Sequence, residues 1–367
     1  MRVRGEAEAG YEGLREVLQR FVDDGRETGA GLSVRRGGRE VVRLSAGWAD
    51  TGRRRPWRDD TLVQTYSVSK PFAALAALVA VRDGALDLDT PISRHWKGYE
   101  RYGKGATTLR HVLTHRSGLP RFPESAATLD PLDERGLLTS LAEAEPEYAP
   151  GTRTGEQALT HGHLIDGILR GATGSTLGEI FDERVRPALD LDARFGVPEN
   201  ELDRVADLEY AHPDWARDLP AAAWLSTPRG SLDPDRSNSA IRRRSVFGGI
   251  GLHATASALS GLLSRITDPE GPVRALLGTE LHEEYLAPQA TGHDDVFGVE
   301  LTWTLGFLRD PDKIAKGGIG GSAVWWSTRH GHSCAYLTRR LDDHSRAAEV
   351  ARALGDDLSL RPMDTVS

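Results

Sequence analysis

The segment Thr65-Tyr66-Ser67-Val68-Ser69-Lys70-Pro71-Phe72 carries the residues best suited to chemistry. Phe72 to Val81 is almost wholly apolar, which predicts a helix buried on all sides, with Gly84 as its stop. Ser67 falls near the helix start and Lys70 one turn later. Side chains at i and i+3 share a face, so the hydroxyl and the amine can come within hydrogen-bonding distance. Burial disfavours an ammonium, and a neutral amine can act as a base toward a serine nucleophile. N–H groups at a helix start can also hold an oxyanion. Ser-x-x-Lys alone fits equally a capping serine beside a surface lysine. The lysine inventory counts against that reading: of 46 basic residues, only Lys70, Lys97, Lys104, Lys313 and Lys316 are lysines. A lysine can lose its proton where an arginine cannot.

Other chemistry-bearing residues are weaker candidates. His161-x-His163 and His330-x-His332 alternate without an expected carboxylate partner nearby, so no metal is expected. His282-Glu283-Glu284 departs from the His-Glu-x-x-His zinc pattern. No cofactor is expected. The single cysteine, Cys334, excludes an internal disulfide and reads as core.

The elements that must position Ser67 and Lys70 come from both ends of the chain. Residues 11–22 read as an amphipathic helix with Tyr11, Leu14, Val17, Leu18 and Phe21 on one stripe. Leu32–Arg36 and Val41–Leu44 flank Gly37-Gly38 as a hairpin. Leu301–Leu308, Ala323–Thr328 and Ser333–Leu337 read as three later strands, with Trp325 and Trp326 on opposite faces. A last helix presents Ala347, Val350, Ala351 and Leu354. The middle has helical periodicity and few strand signals, and 226–246 reads as a long loop. The expected architecture is α+β: one α/β lobe from about 1–65 and 291–367, and a helical lobe from about 66–290.

At 367 residues the chain can bury a real core. Its 54 acidic against 46 basic residues leave a net charge of −8, without the basic footprint of a nucleic-acid binder. No apolar run is long enough to span a membrane, and the first residues do not read as a signal peptide, so a cytoplasmic location is expected. The expected partner is a small-molecule substrate, with no nucleic acid and no membrane; the sequence leaves the oligomeric state open.

Several segments together resemble the serine β-lactamase-related superfamily, which includes class C β-lactamases, penicillin-binding proteins and family VIII carboxylesterases. They are Ser67-Val68-Ser69-Lys70-Pro71-Phe72, Leu86-Asp87-Leu88-Asp89-Thr90-Pro91, Thr108 through Pro120 (TLRHVLTHRSGLP), Pro150-Gly151-Thr152-Arg153, Gly249 through Ala256 (GIGLHATA) and Gly317 through Ser322 (GGIGGS). The order is right, and the resemblance covers about residues 25–345, with the carboxylesterase branch closest in flavour. It implies an antiparallel sheet flanked by helices plus a helical lobe, with the site between them. It also implies Ser67 as nucleophile, Lys70 as the activating lysine and Lys316 as the cation of the third motif. The oxyanion hole would be the N–H groups of Ser67 and Ile319.

The resemblance breaks at the second motif. The family places a tyrosine five residues after the glycine of PGTR, and here that position is Glu156. A further family-typical aromatic position is His161. A glutamate beside Lys70 and Lys316 would be held ionised and would keep Lys70 protonated in turn. Three readings follow. Glu156 is the general base, directly or through a water; or His161 or Tyr148 substitutes for the tyrosine; or the fold serves different chemistry or only binding. The leading expectation is a serine hydrolase or acyltransferase acting on an ester, thioester or amide of a small molecule through acyl-Ser67, with a role in small-molecule biosynthesis. The alternative is isomerisation, addition, elimination or ligand binding by the Lys70/Glu156/Lys316 cluster.

Overall fold

A computed structural model describes residues 1–217, 219 and 228–358. Among them, nine antiparallel strands form one sheet built from both ends of the chain. The first three are β1 (Arg4–Ala7), β2 (Gly29–Arg36) and β3 (Arg39–Gly47). The other six are β4 (Ala290–Asp294), β5 (Val299–Trp303), β6 (Leu308–Asp310), β7 (Lys313–Gly317), β8 (Ala323–Ser327) and β9 (His332–Thr338). The spatial order is β1-β3-β2-β9-β8-β7-β6-β5-β4, so β2 pairs with β9 and closes the two ends into one unit.

Period-2 alternation decides what each face packs against. Leu32, Val34, Trp325, Cys334 and Tyr336 point toward α1 (Glu12–Asp23) and the last helix, and share a core with Leu14, Leu18, Phe21, Val350 and Ala351. The residues between them, among them Ser33, Ala335 and Leu337, face the rest of the protein. Trp325 is therefore core and Trp326 lies partly buried on the other side. Small residues let a helix approach that second face: Ser33 Oγ lies 2.6 Å from Ser260 Oγ, and Ser333 Oγ donates to Ser260 O at 2.8 Å. Ser260 belongs to the helix Ala256–Thr267, which comes from the central stretch of the chain but packs on the sheet.

The buried helix α2 (Ser69–Arg82) begins one residue after a 3₁₀ turn, Tyr66–Val68, that holds Ser67. Every residue from Ser69 to Ala80 is buried, and Gly84 follows with φ 77°. The α3 helix (Thr160–Thr173) packs against α2 and carries His161.

Two sequence readings need correction. The single strand expected over Leu301–Leu308 is two, because the chain turns at Thr304–Phe307: Thr304 N donates to Phe307 O at 2.9 Å and Gly306 has φ 135°. The stretch read as a loop over 226–246 holds two short helices, Pro234–Ser237 and Ala240–Arg244, each capped by a polar side chain, Asp233 and Ser239. Residues 226 and 227 lie outside the described residues. The central stretch also carries a small sheet of its own, from Val63–Gln64, Leu252–Ala254 and Ala193–Phe195. No helix among the described residues is long and apolar enough to cross a membrane.

Candidate active site

Ser67 is presented by a strained turn. Tyr66, just before it, adopts φ 49°, a left-handed conformation that a residue with a large side chain takes only when its surroundings impose it. Here Thr65 N and Oγ1 both donate to Leu252 O, at 2.9 and 3.0 Å, and Ser69 Oγ accepts from Leu252 N at 3.0 Å. The two serines of the motif therefore divide the work. Ser69 ties α2 to the small sheet, and Ser67 is left facing the site.

Lys70 Nζ donates to Ser67 Oγ at 2.9 Å and to Glu156 Oε1 in a closer contact. Lys316 Nζ lies 3.7 Å from the same Glu156 oxygen and 4.5 Å from the centre of the Trp303 ring. Lys70, Glu156 and Lys316 are at most 4% exposed, and Ser67 is 9% exposed. These four residues, which lie on a 3₁₀ turn, a helix, a loop and strand β7, thus meet in one contact chain.

Glu156 has no freedom to leave it. Gly155 N donates to His115 O at 2.9 Å, Glu156 N to Asp294 Oδ1 at 3.2 Å, and Gln157 N to His115 Nδ1 at 3.1 Å. Three successive N–H groups are thereby pinned between the His115 turn and the end of β4. Burial by itself would raise the Glu156 carboxyl, but the ammonium groups of Lys70 and Lys316 outweigh it and hold the group below its usual range. For Lys316 the balance goes the other way. Burial and the charge of Lys70 bring its amine down to about 7, against the pull of Glu156 and Asp294.

The remaining sequence candidates fall in different places. His161 is fully buried beside the cluster, with neither ring nitrogen hydrogen-bonded, and burial with the charges of Lys70 and Lys316 holds it neutral. Its ring lies 5.0 Å from that of His115. Tyr148 is not in the contact chain. Its hydroxyl sits beside Gly155, and burial with the charges of Asp294 and Asp295 pushes it above the usual phenol range. Ile319 follows Gly318, whose carbonyl accepts from His344 Nε2 at 3.0 Å. In a trans peptide that leaves the Ile319 N–H on the side away from His344. Gly318 itself abuts the turn that carries Ser67: a Cβ there would lie 2.2 Å from Thr65 O and 3.3 Å from Ser67 N.

Sequence reasoning gave no role to Asp294, His115, Trp303 or His344. His115 lies within the quoted TLRHVLTHRSGLP segment, so a signal existed for it. For Asp294 there was none, since its value lies in a contact across 138 positions. The expectation that His330 and His332 lack a carboxylate also needs correction. Asp356, arriving from behind the last helix, contacts both rings.

The Beta-lactamase family model matches residues 14–358. The chain belongs to that family. Relatives include Esterase/beta-lactamase LipL of Mycobacterium tuberculosis, 32% identical over 187 residues that make up 50% of this chain and 43% of that protein. Esterase EstB of Burkholderia gladioli is 32% identical over 211 residues, 50% of this chain and 53% of that one. The match thus spans about half the length of these curated relatives. Among solved structures, a penicillin-binding protein homologue from Caulobacter crescentus superposes with a TM-score of 0.81 at 28% identity, over 97% of this chain and 99% of that one. A family VIII carboxylesterase, 24% identical over 96% and 99% of the two chains, superposes with the same TM-score and shares the fold. The β-lactamase and penicillin-binding-protein fold expected from the motifs is the fold of this chain.

Proposed function

We propose that this member of the Beta-lactamase family is a serine hydrolase or acyltransferase that acts on an ester, thioester or amide of a small molecule through an acyl-Ser67 intermediate, in small-molecule biosynthesis in the cytoplasm. The observation that carries the reading is the buried contact chain Ser67 Oγ–Lys70 Nζ–Glu156 Oε1. Glu156 faces Lys70 rather than Ser67 in this chain. Its part as base is therefore indirect, and neither Tyr148 nor His161 has a hydrogen bond into the chain.

In this reading Ser67 Oγ attacks the substrate carbonyl carbon and its proton passes to Lys70 Nζ as Lys70 hands one to Glu156. Glu156 is a poor final acceptor, because the Lys70 ammonium beside it holds it ionised. The neutral amine of Lys316, on the same carboxylate oxygen, is the better one. The N–H groups of Ser67 and Ile319 take the tetrahedral oxyanion. The proton returns along the same groups to the departing alkoxide, thiolate or amine, and water or a second substrate releases the acyl group by the reverse sequence.

The test is covalent labelling. A fluorophosphonate should add one adduct mass to the intact chain, on the Ser67 peptide, and none to Ser67→Ala. The glutamate in the family's tyrosine position keeps a second reading in view, non-hydrolytic chemistry or binding by the same cluster. An unlabelled Ser67 together with a small molecule that co-purifies and is lost in Glu156→Gln would replace the first reading by the second.

A further inference from the structure

The turn between β8 and β9 brings two imidazoles to one carboxylate. His330 Nδ1 lies 2.8 Å from Asp356 Oδ1, and His332 Nε2 lies 2.7 Å from Asp356 Oδ2. The rings are nearly parallel, 9° apart, with centres separated by 5.9 Å. All three ligating atoms lie within 4.8 Å of one another. His332 and the Asp356 side chain are buried, whereas His330 is about one third exposed and leaves a way in from solvent. The carboxylate is also oriented, because the Trp325 indole N–H donates to its Oδ2 at 2.8 Å.

We propose that His330, His332 and Asp356 form a binding site for a divalent transition-metal ion of the Zn²⁺ type. Two imidazoles and one carboxylate are a donor set that suits such an ion, with a remaining position for water. A hydrogen bond from the Trp325 indole onto the ligating carboxylate is the kind of outer support metal sites carry. To bind, each ring nitrogen that faces Asp356 must be free of its proton, which in a neutral imidazole moves to the other ring nitrogen. The ion replaces two N–H···O contacts by coordination, and no redox step is involved.

The position argues for a structural role. β8 runs from Ala323, beside the glycine-rich turn of the active site, to Ser327, which pairs with His332. At about 3.3 Å per residue the cluster lies at the far end of that strand. Its carboxylate is held by Trp325, which belongs to the sheet face opposite Ser67. An ion here would fasten the segment after the last helix to the sheet.

The test uses the full chain, stripped with EDTA and dialysed, then titrated with ZnCl₂ by calorimetry, with Tm measured alongside. One equivalent should bind and Tm should rise by a few degrees. His330→Gln, at the exposed ligand, and Asp356→Asn should each lose that saturating step. Trp325→Phe should weaken it by about 10–100-fold. All variants should keep fluorophosphonate labelling, or failing that the same far-UV spectrum, as evidence of an intact fold. No zinc-dependent heat or Tm shift in the parent, or equal binding in parent and both ligand variants, would overturn the proposal and leave a hydrogen-bonded anchor.

Discussion

Glu156 sits where the amines of Lys70 and Lys316 share one carboxylate oxygen, and the consequences are measurable residue by residue. Glu156→Gln keeps the shape and removes the charge. With the relay intact it should lower kcat by a factor within ~10²–10⁴, with a smaller effect on KM. In the proposed relay, Lys316, brought down to about 7, would set the pH dependence. If its neutral form is the acceptor, as proposed, kcat/KM on an uncharged ester should rise as pH passes upward through about 7 and then level off, while Glu156 stays ionised throughout. In Glu156→Gln the residual rate should titrate at lower pH, because an anion that raised the Lys316 amine is gone. A pH–rate profile that falls through 7 would instead assign the work to the Lys316 ammonium. Stability follows the same shift with a definite sign. The folded value lies below the unfolded value of ~10.4, so the unfolded chain binds more protons between the two. The penalty from burying Lys316 is complete below pH 7 and shrinks as pH rises toward 10. Lys316→Met should therefore gain more in urea midpoint at pH 6 than at pH 9.

At the scale of elements, the site depends on how closely β7 and the glycines after it approach the turn before α2. Gly318→Ala would drive a methyl into the Thr65 carbonyl, 2.2 Å away, so the strand end must move. Displacements of about 1 Å in an active site can cost ~10² in rate, so kcat should fall by about that much, and because the atom met is backbone the thermal stability should fall as well. Ser69→Ala should act on stability more than on rate. It leaves the buried Leu252 N–H without its acceptor, a loss of about 1–3 kcal/mol, measurable by urea unfolding, while Ser67 and Lys70 remain. The motif is thus read twice by the fold, once at Ser67, which meets Lys70, and once as an anchor at Ser69.

In the whole molecule, residues 4–47 and 290–338 belong to one sheet, joined where β2 pairs with β9 over seven register positions. Deleting residues 1–47 would remove three strands and α1, strip the cover from Cys334 and Tyr336, and expose β9 as an edge. The truncated chain should lose cooperative thermal unfolding by circular dichroism, even though Ser67, Lys70, Glu156 and Lys316 are all still encoded. The cluster of Ser67, Lys70, Glu156 and Lys316 gains its burial from a fold that both chain ends complete, and burial is the largest cause that lowers the Lys316 amine.

Much of this was legible before folding was considered. The apolar run after Phe72 determined a buried helix, and the i, i+3 spacing placed Lys70 beside Ser67, because helical geometry is local. The order of the motifs identified the family, and the count from Gly151 put Glu156 in the tyrosine position. The strand and helix patterns at the two ends gave the sheet, since period 2 and period 3.6 are written into the chain itself. What only the tertiary structure decided depends on contacts between distant positions. Asp294 reaches Glu156 across 138 residues, and Asp356 reaches His332 across 24. Neither is marked by any local pattern. The turn at Thr304–Phe307 was hidden inside an apolar strand-like run, because its glycine packs on α2 rather than ending a periodic segment. Proton affinities belong to the same class. Lys70 and Lys316 are the same residue type in sequence and share one carboxylate oxygen in the fold, and it is burial together with the charge of Lys70 that lowers the Lys316 amine.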